Sequence, residues 1–435
     1  MKNGMHNDDT TVVVGGGLAG LTAATYLARA GRPVTVLERS SAPGGRAVTN
    51  DLGGFLFNLG PHALYKAGAG MKVLRELGIE FRGKTPPLSG YGLLDGALRP
   101  ISLLSLTSSL LPGAAKIEAV RVFASIARSD WRRFEDVTLS DWLDERVSRP
   151  RVRALVEALV RVSTYANDPL RMSASVALMQ LKLAIRGVLY LDGGWQTLVD
   201  GLRHAAERAG ARIVTGAPVE RVVAGAPHCI AMKDGSAIEA SSVIIAGSPD
   251  LAAMLLDSPE LRAHGESSVP VRAACLDLGL RRLPQPKRTF ALGLDRPYYF
   301  SVHSRTAKLA PDGMHTAVVA KYLPSDERLD ARSLEQELEA FVDLVQPGWQ
   351  EEVAERRFLP EMAVVNALPT PRRGGFSGRR AVDAPGVPGV YLAGDWVGGE
   401  GWLSDASFAS GKRAAELALQ AAPGMAPQIP EVAVR

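Results

Sequence analysis

A chain of 435 residues exceeds what one hydrophobic core organises and predicts two domains. Its 46% hydrophobic and 22% charged residues are those of a globular enzyme, and a net charge of +4 without a basic tract excludes a nucleic-acid partner. Cys229 and Cys275 stand far apart and outside any C-x-x-C, which excludes a disulfide framework or a zinc site and fits a reducing, cytoplasmic compartment. The opening MKNGMHNDDT is polar and does not read as a signal peptide. Val12 to Val14 then form a β-branched run suited to a buried parallel strand, and Gly15, Gly17 and Gly20 follow as G-x-G-x-x-G. Gly15 permits the turn, Gly17 leaves room for a pyrophosphate against the backbone, and Gly20 lets a helix from Leu18 to Ala30 pack on the strand. The first N–H groups of that helix, at Leu18 and Ala19, face the phosphates. A second strand, Pro33 to Leu37, ends at Glu38, placed to accept hydrogen bonds from ribose hydroxyls, with Arg39 beside it. Strand, glycines, helix, strand and acid occur in order, so the ligand is an adenosine diphosphate compound.

Gly44, Gly45 and Arg46 come soon after the acid, where two more glycines and a guanidinium close over the same pyrophosphate. Here the chain resembles the FAD-binding half of the phytoene desaturase-like and flavin amine oxidase superfamily, in which a G-G-R segment follows the ribose acid. That resemblance implies FAD. The next stretch, Gly54 to Leu64, is a strand with alternating aromatics that turns at Gly60 and Pro61. It resembles the family pattern G-F-x-F-D/E-x-G-P, with Asn58 in the acid's place, and so puts His62 near the isoalloxazine, as a proton-moving or a structural imidazole.

A helix follows from Gly70 to Leu77, then a hairpin turning at Asp95-Gly96. The apolar segment Ile101 to Pro112 is too short to span a bilayer and reads as a buried part of a substrate domain or a surface dipping into a membrane. From Leu110 to Gly187 the spacing is helical, broken by Arg161 to Pro169, RVSTYANDP, which resembles a segment bordering the substrate cavity in phytoene desaturase-like proteins. Tyr165 and Arg161 are therefore candidate cavity residues, against a plainer reading as a helix-end tyrosine and a surface arginine. Leu191 to Leu198 returns the chain to the nucleotide domain, with a helix from Trp195 to Ala209 and a strand from Ala211 to Thr215. By resemblance, Val219 holds the adenine edge. A hairpin at Asp234-Gly235 and a buried strand, Ser242 to Ala246, complete that return.

From Val271 to Leu323 the runs AACLDLGL, TFALGL, YYFSV and TAVVAKYL predict a sheet walling the substrate cavity, and Ser333 to Val345 predicts a helix. Ser304 to Gly313 resembles a desaturase segment. Lys321 stands on a predicted strand; many amine-oxidase relatives keep a lysine beside the flavin, but a strand lysine reads as solvent-facing. The closing run Gly389 to Trp396 ends a strand at Gly394-Asp395, where a doubly wound sheet receives ligands. By resemblance Asp395 meets the ribityl and pyrophosphate part of FAD, and the helix from Ser404 or Asp405 to Leu419 points its amino end, Ser404, Asp405 and Ala406, at the flavin N1–C2=O edge. No cysteine lies near that motif for thiol attachment, so FAD is expected to be non-covalent.

These readings combine into an α/β fold with a Rossmann-like FAD-binding domain, a GR2-type flavoprotein by resemblance, and an α+β substrate domain built from inserted segments. Residues 11–90, 189–250 and 375–420 form the first, 91–188 and 251–374 the second, and 421–435 a tail. The expected activity is hydride abstraction from an apolar, isoprenoid-like small molecule, with peripheral membrane contact left open. Alternatives are an amine oxidase producing imine and hydrogen peroxide, and a redox-neutral isomerase or non-catalytic flavoprotein. No metal is expected. Oligomeric state and electron acceptor stay open.

Overall fold

The computed structural model describes residues 10–87, 89–102, 111–326 and 329–421. Thr11–Val14 lies at the centre of a five-stranded parallel sheet ordered Arg212–Val214, Val34–Leu37, Thr11–Val14, Ser242–Ala246, Val390–Ala393. Apart from the edge strand Arg212–Val214, these strands are short, mostly buried apolar runs, as a parallel sheet requires. On one side the helix Leu18–Arg29 packs between Gln196–Arg208 and Ser404–Gln420. On the other, an antiparallel meander, Val219–Val223, His228–Met232 and Ala237–Ala240, contributes Val222, Ile230 and Met232 to the same core. Gly411 sets the approach of the first and last helices, since a Cβ there would stand 2.3 Å from the Ala19 carbonyl oxygen. The order of the sheet puts its switch point at the carboxyl end of Thr11–Val14, where the connections leave to opposite sides and ligands enter.

The second body is a seven-stranded sheet ordered Val353–Val365, Val271–Leu280, His315–Leu323, Tyr298–Val302, Phe290–Gly293, Ser89–Leu94, Ala97–Ser102. Alternation along Val271–Leu280 assigns its two faces. Ala274, Leu276, Leu278 and Leu280 meet the helix Ala331–Val345 through Leu334, Leu338 and Phe341, while Val271, Ala273 and Cys275 face a layer made by Gly113–Arg128, Leu139–Arg146, Pro150–Thr164 and Ala174–Ile185. The hairpin expected at Asp95-Gly96 forms, with both residues at positive φ, and its strands extend this same sheet by parallel pairing of Ala291 with Tyr91. The boundary drawn after residue 90 therefore cuts through the strand Ser89–Leu94. The long edge strand Val353–Val365 had no counterpart in the sequence reading, because its charged residues and mostly half-exposed positions break any apolar alternation.

Of the apolar segment Ile101 to Pro112, residues 103–110 lie outside the described residues, as does the tail beyond Ala421. Among the described residues, no helix is long and apolar enough to cross a membrane.

Candidate functional site: a dinucleotide crevice opening on an apolar cavity

Gly15 sits at φ +107, and a Cβ there would stand 2.4 Å from the Ala246 carbonyl oxygen, so the tight turn admits no side chain. Gly20 is closer still: a Cβ would lie 1.9 Å from the Gly15 carbonyl oxygen. Gly17 differs from both. It caps the helix Leu18–Arg29 in extended backbone, no side chain caps that helix, and a Cβ would meet nothing within 4 Å. The result is an open cradle in front of unneutralised helix N–H groups, at Leu18, Ala19 and Gly20, which fits a diphosphate. The Gly44 N–H donates to the Gly16 carbonyl at 2.8 Å, which lays Gly45 and Arg46 along this loop.

Glu38 ends the second strand and is 8% exposed. Its carboxylate accepts from the Gly16 N–H at 2.7 Å and the Ser40 N–H at 2.8 Å. The Ala217 N–H donates to the Glu38 carbonyl at 2.9 Å and the Gly216 N–H to the Ser40 carbonyl at 2.8 Å, which brings buried Val219 to the acid's neighbourhood. Arg39 beside it is exposed.

Arg46 and Asp395, distant in sequence, pair directly at 2.7 Å. Asp395 is 2% exposed and also accepts from the Asn366 N–H at 3.1 Å and its Nδ2 at 2.6 Å, while Arg46 also donates to the Val364 carbonyl at 2.9 Å. Gly394 is fixed by Ser410, whose Oγ accepts from the Gly394 N–H at 2.9 Å. Arg46 and Asp395 line a cavity of about 440 Å³ with Leu18, Trp195, Met362, Leu403, Ser404 and Ser407, so the first turn of Ser404–Gln420 opens into it. Ala406 is fully buried. Asp405 is turned the other way: its Oδ1 accepts from the Gly70 N–H at 2.7 Å, at the start of the helix Ala69–Glu76.

Burial of Asp405, with Glu400 nearby, raises its pKa to about 7, against the Gly70 hydrogen bond and Lys72, which lower it. A carboxyl raised on folding stabilises the fold fully below its unfolded pKa of about 3.9, and that contribution is lost as pH rises through about 7. Urea unfolding of the apoprotein should thus lose stability between pH 5 and pH 8 relative to Asp405→Asn; parallel curves for the two proteins would refute this.

A second cavity, also about 440 Å³, adjoins the first. His62, Ala63, Tyr65, Val162 and Tyr165 line both, so these residues form the wall between crevice and cavity. His62 Nδ1 lies 3.0 Å from the Gly60 carbonyl, which only accepts, so this nitrogen carries the proton. Burial depresses the pKa of His62 and the charges of Arg46 and Arg357 add to this, against the carbonyls of Gly60 and Arg46; the ring is neutral and packs edge-on to Trp195 at 4.8 Å. Asn58, in the place of the family's acid, accepts from Thr49 Oγ1 at 2.7 Å and the Trp195 N–H at 3.0 Å, positioning that tryptophan with a neutral amide. Tyr165 sits at φ +62 at the end of Pro150–Thr164 and donates its hydroxyl to the Pro61 carbonyl at 2.7 Å. Positive φ among the non-glycine described residues falls on Asp95 and Asp257, which tolerate it, and on Tyr165 and Leu403, which both line the crevice cavity.

Two expectations need correction. Arg161 lines neither cavity and is not at the surface: it is buried and donates to the Gly293 and Leu294 carbonyls at 3.2 and 3.0 Å, tying the helical layer to the large sheet. Lys321 is not solvent-facing; it is mostly covered and paired with Glu337 at 2.5 Å, on the sheet face away from both cavities. Trp195, Met362 and Asn366 are site residues that no motif pointed to. The G-G-W-Q turn at 193–196 offered a signal for Trp195 alone.

The chain matches the family described as flavin containing amine oxidoreductase over residues 18–419. A hydroxyneurosporene desaturase of Cereibacter sphaeroides is 29% identical over 297 residues, 57% of this chain and 58% of that protein, so the chain spans a little over half of that relative. A zeta-carotene-forming phytoene desaturase of Myxococcus xanthus is 25% identical over 372 residues, 72% of each chain. Among solved structures, putrescine oxidase bound to putrescine superposes with a TM-score of 0.75 at 17% identity over 95% of this chain and 99% of that one, a likeness of fold.

Proposed function

The chain belongs to the flavin-containing amine oxidoreductase family, and we propose that within it this protein is an FAD-dependent oxidoreductase that takes a hydride from an apolar, isoprenoid-like substrate. The observation that carries the substrate class is the second cavity: Leu94, Ile101, Phe123, Leu159, Leu181 and Phe290 dominate its wall, and no carboxylate stands among its described lining residues. An ammonium substrate would call for an anionic partner or a nearby base, and the lysine candidate, Lys321, faces elsewhere. The names of the desaturase relatives point the same way. The cavity reaches exposed Ile185, and Ile117 and Val120 stand exposed on the neighbouring helix Gly113–Arg128, so the reading includes contact of this mouth with a lipid surface.

FAD, bound without a covalent link, supplies the hydride acceptor. The residues of this chain do the holding. Gly17 and the N–H groups behind it take the diphosphate, Glu38 the ribose, Arg46 and Asp395 the ribityl side, and the amino end of Ser404–Gln420 favours negative charge in the crevice. His62 and Tyr165, held by Gly60 and Pro61, form the partition against which an apolar chain is aligned. The apolar wall keeps water from that partition.

Incubation with an isoprenoid hydrocarbon and a quinone acceptor should yield a product two hydrogens lighter by mass spectrometry; hydrogen peroxide released only with amines would replace this reading by the oxidase. Glu38→Ala should weaken FAD retention about tenfold, the worth of one hydrogen bond to a charged group. A variant that purifies fully yellow would count against the ribose role.

A further inference from the structure

We propose that Tyr190, Tyr299 and His303 form a hydroxyl-recognition subsite in the apolar cavity, so that the preferred substrate is an isoprenoid-like molecule carrying an alcohol. This rests on the reading of that cavity as the substrate site. Tyr190 and Tyr299 both line it. Their hydroxyls lie 3.1 Å apart, Tyr299 reaches His303 Nε2 at 3.0 Å, and Tyr190 reaches Ser301 Oγ at 3.5 Å. The imidazole stacks on the Tyr190 ring at 4.1 Å and is buried behind the wall.

The other lining tyrosines donate to backbone: Tyr65 to the Ser163 carbonyl at 2.9 Å and Tyr165 to the Pro61 carbonyl at 2.7 Å. Tyr190 and Tyr299 serve no backbone group in this way. Phenylalanine fills comparable space beside them at Phe290, which packs edge-on to Tyr299 at 5.9 Å. Two phenols and an imidazole therefore sit where hydrocarbon would pack as well; they satisfy one another, and the phenols, which line the cavity, are placed to meet a polar partner there.

The proton count gives the chemistry of that partner. With Nε2 unprotonated, the chain runs Ser301 to Tyr190 to Tyr299 to His303, every hydroxyl proton is used, and each phenol oxygen keeps an acceptor site. With the proton on Nε2 the chain reverses, and a spare donor appears at its Ser301 end. An alcohol in the cavity donates to a free phenol acceptor site in either arrangement; Ser301 is not among the cavity's described lining residues. Burial holds His303 at a pKa of about 3, so the cluster stays uncharged and suits a neutral oxygen group.

The test is equilibrium dialysis of the FAD-loaded protein against tritiated farnesol and tritiated farnesene, which share a skeleton and differ in the hydroxyl. Farnesol should bind about tenfold more tightly than farnesene, and Tyr190→Phe or Tyr299→Phe should bring the ratio close to one while leaving farnesene affinity unchanged, which also shows that the variants are folded. Equal affinities in the parent protein, or a preference that survives both substitutions, would overturn the subsite and leave the apolar-substrate reading standing. Binding of neither ligand would overturn the apolar reading, and the subsite with it.

Discussion

Gly17→Val should abolish stable FAD binding while leaving the apoprotein folded. The extended backbone at this position suits a β-branched residue, and a Cβ meets no protein atom within 4 Å. The cost to folding is limited to weakening a helix cap, about 1 kcal/mol. The valine methyls would instead fill the open cradle proposed for the diphosphate. Loss of two charge-assisted hydrogen bonds, about 1.5–3 kcal/mol each, corresponds to roughly a hundredfold or greater loss of affinity. Titration of the apoprotein with FAD, alongside its circular dichroism, checks both halves. Gly20→Val is the contrasting variant: its Cβ would fall 1.9 Å from the Gly15 carbonyl oxygen, so folding itself should fail. A Gly17→Val protein that binds FAD like the parent would remove the cradle from the account.

Asp395→Ala should weaken both the fold and FAD binding. The carboxylate is almost fully buried and holds Arg46 at 2.7 Å together with both donors of Asn366. Removing it orphans the Asn366 N–H groups, at about 1–3 kcal/mol for a buried donor, whereas Arg46, 44% exposed, recovers water. The apoprotein should therefore lose about 2 kcal/mol in urea unfolding. FAD affinity should fall further, because Arg46 is no longer held at the crevice. Asp395→Asn keeps an acceptor for Asn366 without the charge on Arg46, and should restore stability more than cofactor binding. Equal recovery of both would make Asp395 a purely structural residue.

The nucleotide half was legible because its signals are local. Strand, glycines, helix and terminal acid occupy one continuous stretch, in which Gly15 and Gly20 have steric reasons of their own and Gly17 opens the space in front of the helix. The partition between the cavities was half legible. His62 and Tyr165 were reached through motifs, but the tie between Tyr165 and the Pro61 carbonyl joins the helical layer to the early strand and has no local signature. Trp195 arrives from one return of the chain and Met362 and Asn366 from another, at the end of Val353–Val365, so only the assembled topology brings them to Arg46 and Asp395. Arg161 and Lys321 misled for a common reason: a charged residue in a regular element reads as surface or as site, and both instead bind partners across an internal seam. Asp405 shows a further limit. Its place in the first turn of the closing helix suggested the cofactor, whereas its side chain caps the start of Ala69–Glu76.

The most direct test of the account is anaerobic mixing of the FAD-loaded protein with an isoprenoid alkene or with an amine, watching the flavin band near about 450 nm, which reports the redox state of the cofactor. Bleaching by the alkene and not by the amine is the expected result. Bleaching by the amine alone, or a protein that takes up no FAD at all, would contradict it.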